Sequence, residues 1–235
     1  MNLQDRQEIL TKAKEFFRDT IAKQHIKNTK KLKKLSEFKI NPFLDLYLAN
    51  YLEGNNDPES IAKALIYPRV LGTSITTSFG TNFQKFTRVV LSGYASVIQG
   101  LDIEFIDQTD GTRKYCQIKS GPNTINHDDV DTIIGHFNGV RNLARTNGLS
   151  IGFNDLIVGV LYGTSRELSQ HYKVLNQSYP VIVGQEFWLR LTGDVDFYNE
   201  LIKSVAEVAI EIDGSELLNE VIKDLAKEIK TIYSN

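Results

Sequence analysis

Leu101-Asp102-Ile103-Glu104-Phe105-Ile106-Asp107, then Gln108-Thr109-Asp110-Gly111-Thr112, then Arg113-Lys114-Tyr115-Cys116-Gln117-Ile118-Lys119-Ser120-Gly121 set the architecture of this chain. Apolar residues alternate on both arms around an Asp-Gly turn, which is the pattern of a β-hairpin. Side chains alternate across a strand, so Asp102 and Glu104 share one face of the first arm. On the second arm Gln117 and Lys119 share a face, and Cys116 and Ile118 point the other way. An acid on one strand, with an amide carbonyl and a lysine on its neighbour, could hold a divalent cation and a water beside a phosphate.

The rest of the composition narrows the classes open to the chain. With 235 residues it can bury a sizeable core, and 41% apolar against 24% charged residues is ordinary for a globular protein. No apolar run has the length of a membrane span, and Met1-Asn2-Leu3-Gln4-Asp5 lacks signal-peptide character. A cytoplasmic chain with no membrane partner is expected. The single cysteine, Cys116, excludes an internal disulfide and a Cys-rich zinc site.

Net charge is −2 and gives no support to nucleic-acid binding, but its distribution does. Lys23, Lys27, Lys30, Lys31, Lys33, Lys34 and Lys39 fall in one stretch, while the C-terminal part is acidic. Lys30, Lys31, Lys33 and Lys34 are candidates to track DNA phosphates, against the plainer reading of a solvated helix face.

Residues 1–70 are expected to form an all-helical N-terminal arm, and residues 71–235 the core with its C-terminal helices. Asn41-Pro42 starts one helix as cap and first-turn proline. Asp57-Pro58 starts another, expected to end near Tyr67 because Pro68 disfavours helix in the residue before it. A helix bearing Gln84 and Arg88 one turn apart leads into the hairpin. Beyond the hairpin, Val130, Ile133, Ile134, Phe137, Val140 and Leu143 mark the inward side of an amphipathic helix, with His136, Arg141 and Arg145 towards solvent or a ligand. Asp155–Gly163 reads as a buried strand and Pro180–Val183 as a short one. Strands alternating with helices predict an α/β fold, a mixed sheet covered on both faces.

Cutting a phosphodiester requires a water made nucleophilic and stabilisation of charge at phosphorus, and a hard cation such as Mg²⁺ supplies both through oxygen ligands. Asp102 is the obvious anchor, Gln117 offers its side-chain carbonyl, and the backbone carbonyl of Ile118 faces the same region. Lys119 could orient the water or stabilise the transition state. On spacing alone, ordinary polar alternation on a solvent-facing hairpin explains the triplet as well.

Leu101-Asp102…Gln117-Ile118-Lys119 resembles the PD-(D/E)xK nuclease signature, with Gln where Glu or Asp usually stands. Ile40-Asn41-Pro42-Phe43, Ser60–Leu65, Pro68–Ser74, Gln117–Asn126 and Glu186-Phe187-Trp188 with Leu191-Thr192-Gly193 resemble bacterial type II restriction endonucleases. The likeness covers residues 40–200. It implies a restriction-endonuclease-like core and a Mg²⁺-dependent homodimer that cuts double-stranded DNA at a short palindrome. On this reading Asp102, Gln117 and Lys119 are catalytic, with Asp102, Gln117 and the Ile118 carbonyl on the metal and Glu104 as a supporting acid. The chain departs from the pattern in three places: Gly100-Leu101 stands where a Pro usually precedes the acid, and Gln117 and Gln84 are amides.

Asn123, Thr124, Asn126 and His127 could contact phosphates or base edges, while Asn126 or Asp128 could instead cap the next helix. Cys116 is read as core, with no histidine placed to activate it, and Trp188 as packing rather than base stacking. Within the same fold a structure-specific or repair nuclease is the alternative. From another class, the two amides leave open a catalytically silent DNA- or protein-binding relative.

Overall fold

The computed structural model describes residues 3–148 and 150–233; Met1 and Asn2 of the N-terminal segment read above lie outside them, as do Leu149, Ser234 and Asn235. The first half of the chain carries helices α1 (Leu3–Phe16), α2 (Lys23–Lys31), α3 (Pro42–Glu53), α4 (Pro58–Pro68) and α5 (Ile75–Val90). Then come β1 (Ile103–Ile106), β2 (Arg113–Lys119), α6 (His127–Thr146), β3 (Leu156–Val160), α7 (Gln170–Leu175) and β4 (Val181–Val183). Helices α8 (Gln185–Thr192), α9 (Phe197–Glu211) and α10 (Ser215–Tyr233) follow. The described residues fold as two compact units, one drawn from Met1–Lys14 with Phe83–Val205, the other from Glu15–Asn82 with Ala206–Asn235.

The first unit holds the sheet, in the order β1-β2-β3-β4. The expected hairpin is present: β1 and β2 pair antiparallel with Ile103 opposite Cys116, while β3 and β4 add in parallel. Its turn is built from short side chains that bond the backbone. Asp107 Oδ1 accepts from Thr109 N at 2.8 Å, Asp110 Oδ1 accepts from Thr112 N at 2.8 Å, and Gly111 takes φ +71°. Strand β3 is buried along its whole length, as its apolar run predicts.

The two faces of the sheet are packed by different elements. Leu156, Val158 and Val160 join Val130, Ile133, Phe137 and Val140 of α6 and Tyr172 and Leu175 of α7 in one apolar cluster. On the other face Phe187 of α8 lies so close to Gly159 that a Cβ there would sit 2.4 Å from its ring. Trp188 is buried and donates its indole N–H to Leu161 O at 2.9 Å, the packing role expected of it. The α6 stripe differs from the expectation at its end: Leu143 is exposed and Ala144 buried. Buried positions 130, 133, 137, 140 and 144 step by three and four, and that alternation selects 144 over 143.

The second unit is helical. Asn41 caps α3 by accepting from Phe43 N at 3.2 Å, and Gly54 at φ +74° ends it. Asp57 caps α4 by accepting from Ser60 N at 2.9 Å. This helix does not stop at Tyr67. It passes through Pro68 into a π-helical turn, Arg69–Ser74, and on into α5. Proline lacks the N–H that an α-helical ladder would use, and the wider turn that follows re-pairs the backbone at a longer spacing. Val221, Ile222, Leu225 and Ile229 of α10 pack with Ile61, Ala62 and Ile66 of α4 to form the core.

Candidate functional site

The polar face of β2 meets the start of β1 at one end of the hairpin. Asp102 precedes β1 and is held by its backbone: its N–H donates to Cys116 O at 2.9 Å, and its own carbonyl accepts from Ser96 N at 3.1 Å. The antiparallel register that pairs Ile103 with Cys116 brings Asp102 level with Gln117. Its carboxylate turns in toward β2, where Oδ2 accepts from Ile118 N at 2.7 Å. Oδ1 accepts no hydrogen bond from the described residues. The residue is exposed, yet its carboxyl sits against the sheet, and this desolvation raises its pKa above the ordinary value. The Ile118 N–H and the nearby Lys119, Arg88 and His136 draw it back.

Lys119 O accepts from Leu161 N on the β3 side. Carbonyls alternate along a strand, so the Ile118 carbonyl faces the β1 side, beside Asp102. The Lys119 side chain is one-quarter exposed, and its Nζ lies 4.0 Å from Asp129 Oδ1, a loose contact. Gln117 is buried. Its Nε2 donates to Gly100 O and lies 2.8 Å from His136 Nδ1.

Asp102, Gln117, Ile118 and Lys119 are therefore brought together. Glu104 shares the face but is engaged elsewhere: Oε1 accepts from Ser96 Oγ at 2.7 Å, and Oε2 pairs with Arg113 Nη1 at 3.3 Å. Among the described residues no group of three or more His, Cys, Asp or Glu is placed to hold a metal. A cation here would draw on Asp102 Oδ1, the Ile118 carbonyl and Gln117 Oε1. All three are hard oxygen donors, and Asp102 is a carboxylate whose ionised form a nearby positive charge would favour, so the set fits Mg²⁺.

The loop residues have structural duties of their own. Asn126 caps α6 in a reciprocal capping box with Asp129 (3.0 and 2.9 Å), so Asp128 is not the cap. Thr124 Oγ1 donates to Gly121 O at 2.8 Å. Asn123 and His127 are exposed, the latter 3.6 Å from Asp131. Lys30, Lys31, Lys33 and Lys34 are all exposed and belong to the helical unit, at the end of α2 and just beyond it. Gln84, on α5, is exposed.

The pattern reading sets His136 towards solvent or a ligand and names Gly100 and Arg88 without giving them a part in the site; Asp129 escapes it altogether. His136 left a weak signal, since it sits next to the buried Phe137 at the edge of the α6 stripe. Gly100, which takes φ +86°, left another as the residue two before the acid. Among the described residues no helix is long and apolar enough to cross a membrane. The chain matches the model of the family described as Type II restriction endonuclease EcoO109I over residues 10–213. No curated protein matches it.

Proposed function

The chain belongs to the type II restriction endonuclease EcoO109I family, and from that premise we propose that it is a Mg²⁺-dependent homodimer that cuts double-stranded DNA at a short palindromic site. The observation that carries this reading is the convergence of the Asp102 carboxylate, the Ile118 carbonyl, Gln117 and Lys119 at one end of the hairpin. Asp102, Gln117 and the Ile118 carbonyl would hold the cation. When bound, the cation supplies a nucleophilic water and neutralises charge on the scissile phosphate. Ile118 N–H fixes one carboxylate oxygen and so orients the other. Lys119 orients the attacking water and stabilises charge developing at phosphorus.

Three separate features support the partners proposed. Lys30, Lys31, Lys33 and Lys34 offer exposed positive charge to DNA phosphates, and Asn123, Thr124, Asn126 and His127 lie in the loop that follows Lys119. Helix α3 exposes Phe43, Leu44, Tyr47, Leu48, Tyr51 and Leu52, with Phe43 89% and Tyr51 80% accessible. An apolar stripe of that size marks an interface, and a second copy of the chain, required by a palindrome, is the proposed occupant. Tyr51→Glu should then give a monomer in sedimentation analysis.

Plasmid DNA incubated with the protein and Mg²⁺ tests the reading. Discrete bands mean site-specific cleavage, a smear means a nuclease without sequence preference, and intact plasmid means binding alone.

A further inference from the structure

We infer that His136 is a positioning residue that holds the Gln117 side chain in one orientation, and that the environment of position 117 selects an amide there over a carboxylate. The inference rests on the proposed reading of Gln117 as a donor to the cation.

Gly100 sets the orientation of the amide. A backbone carbonyl carries no proton, so the group of Gln117 that faces Gly100 O must be the NH₂ and not the oxygen. The same nitrogen lies 2.8 Å from His136 Nδ1. One amide proton goes to each partner, so Nδ1 must accept and the ring proton sits on Nε2. With its nitrogen bound twice, the amide can no longer rotate, and Oε1 is left as the one atom of the group able to meet a cation. A flipped amide would set oxygen against two acceptors.

The imidazole is itself held. A Cβ at Gly100 would lie 2.7 Å from His136 Cγ, so the ring rests against a bare Cα that only glycine provides. Gly100 also takes φ +86°, a conformation other residues rarely adopt. The residue two before Asp102 therefore contributes twice to Gln117, once through its carbonyl and once by making room for the histidine.

A glutamate at position 117 would present a charged oxygen to the Gly100 carbonyl. The amide there is thus a specified part of the site, a neutral donor for two acceptors, and not a carboxylate lost by chance.

The test uses the full-length protein, with Mg²⁺ titrated calorimetrically in the absence of DNA and cleavage measured in parallel. His136→Ala removes the acceptor, whereas His136→Asn places an amide oxygen near the position of Nδ1. Groups that orient a metal's ligands typically contribute about 10–100-fold to affinity. His136→Ala should weaken Mg²⁺ binding by about tenfold or more, and His136→Asn should restore most of it, with equal thermal stability for the two variants. A packing role alone would not separate Asn from Ala. Long-range ¹H–¹⁵N spectra at pH 8 give a readout free of metal: wild type should show the Nε2-protonated ring alone, and Gln117→Leu should show a mixture of the two tautomers. Wild-type protein that binds no Mg²⁺ and leaves plasmid intact would remove the proposed function and this inference with it. Normal wild-type binding with His136→Ala unchanged, or with Asn no better than Ala, would overturn the inference alone. So would an Nδ1-protonated ring in the wild type.

Discussion

Cys116 and Gln117 are adjacent and both buried, yet they occupy opposite faces of β2 under opposite constraints. The Cys116 face is dry. Its thiol lies against Gly159, the Phe187 ring fills the space above that glycine, and burial pushes the thiol pKa far above its usual range. The Gln117 face is apolar toward β3 and α6 but ends in an open polar cluster of Asp102, Gln117, Lys119 and His136. The contrast teaches how a short strand carries chemistry. One face, close-packed, fixes the backbone, and that fixed backbone holds the groups on the other face where a substrate can reach them.

Changes on the two faces should therefore break different properties. The largest effect belongs to the polar face. Lys119→Ala should lower single-turnover cleavage by at least about 10²–10³-fold, as removal of a transition-state interaction does, with DNA binding and unfolding midpoint unchanged. Wild-type cleavage by that variant would take the lysine out of the mechanism. Asp102→Asn should likewise lose cleavage, and its stability gives the comparison a sign. Burial raises the Asp102 carboxyl above its unfolded value of 3.8, so the folded state binds that proton more tightly. Stability then falls as pH rises through that window, and the full penalty is present above it. Asparagine removes the penalty and can still accept from Ile118 N. The metal-free variant should thus unfold at a higher denaturant concentration than wild type at pH 7.

On the dry face the pattern inverts. Phe187→Ala should destabilise by about 3–5 kcal/mol, while each molecule that remains folded cleaves at the normal rate. A specific loss of rate at full stability would show that the two faces are not separable. Between these extremes stands Gln117→Glu, which sets an anion against the Gly100 carbonyl. It should cost about 1–3 kcal/mol in denaturant unfolding, more than a polar exchange on the surface would. The smallest effect lies outside the strand. Replacing Lys30, Lys31, Lys33 and Lys34 with Gln should weaken cognate and random DNA alike. The slope of log K against log salt should flatten by about 0.9 for each phosphate that is no longer neutralised. An unchanged slope would assign these lysines to a solvated face.

Much of this was legible in the order of the residues. Alternation over 101–119 specified the hairpin and which residues share a face, because a period of two leaves no freedom once one face is buried. Asn41-Pro42 and Asp57-Pro58 specified helix starts through local hydrogen bonds a few residues long. Pro68 misled for the same reason: the rule describes an α-helix, and the chain continued by widening the turn. The exposed stripe on α3 went unread because the residues of a helix do not announce which neighbour covers them.

The sequence by itself determined the hairpin, the acid, amide and lysine on one side of it, the buried third strand and the helix caps, all of them consequences of short-range periodicity and local bonding. Tertiary structure alone decided that Gln117 meets Gly100, 17 residues before it, and His136, 19 after it. It also decided that Lys119 has Asp129 for a neighbour and that α10 covers α4 from the far end of the chain. The physical reason is separation. A strand's period fixes where each side chain points, but what it meets there depends on elements whose own patterns carry no record of the encounter.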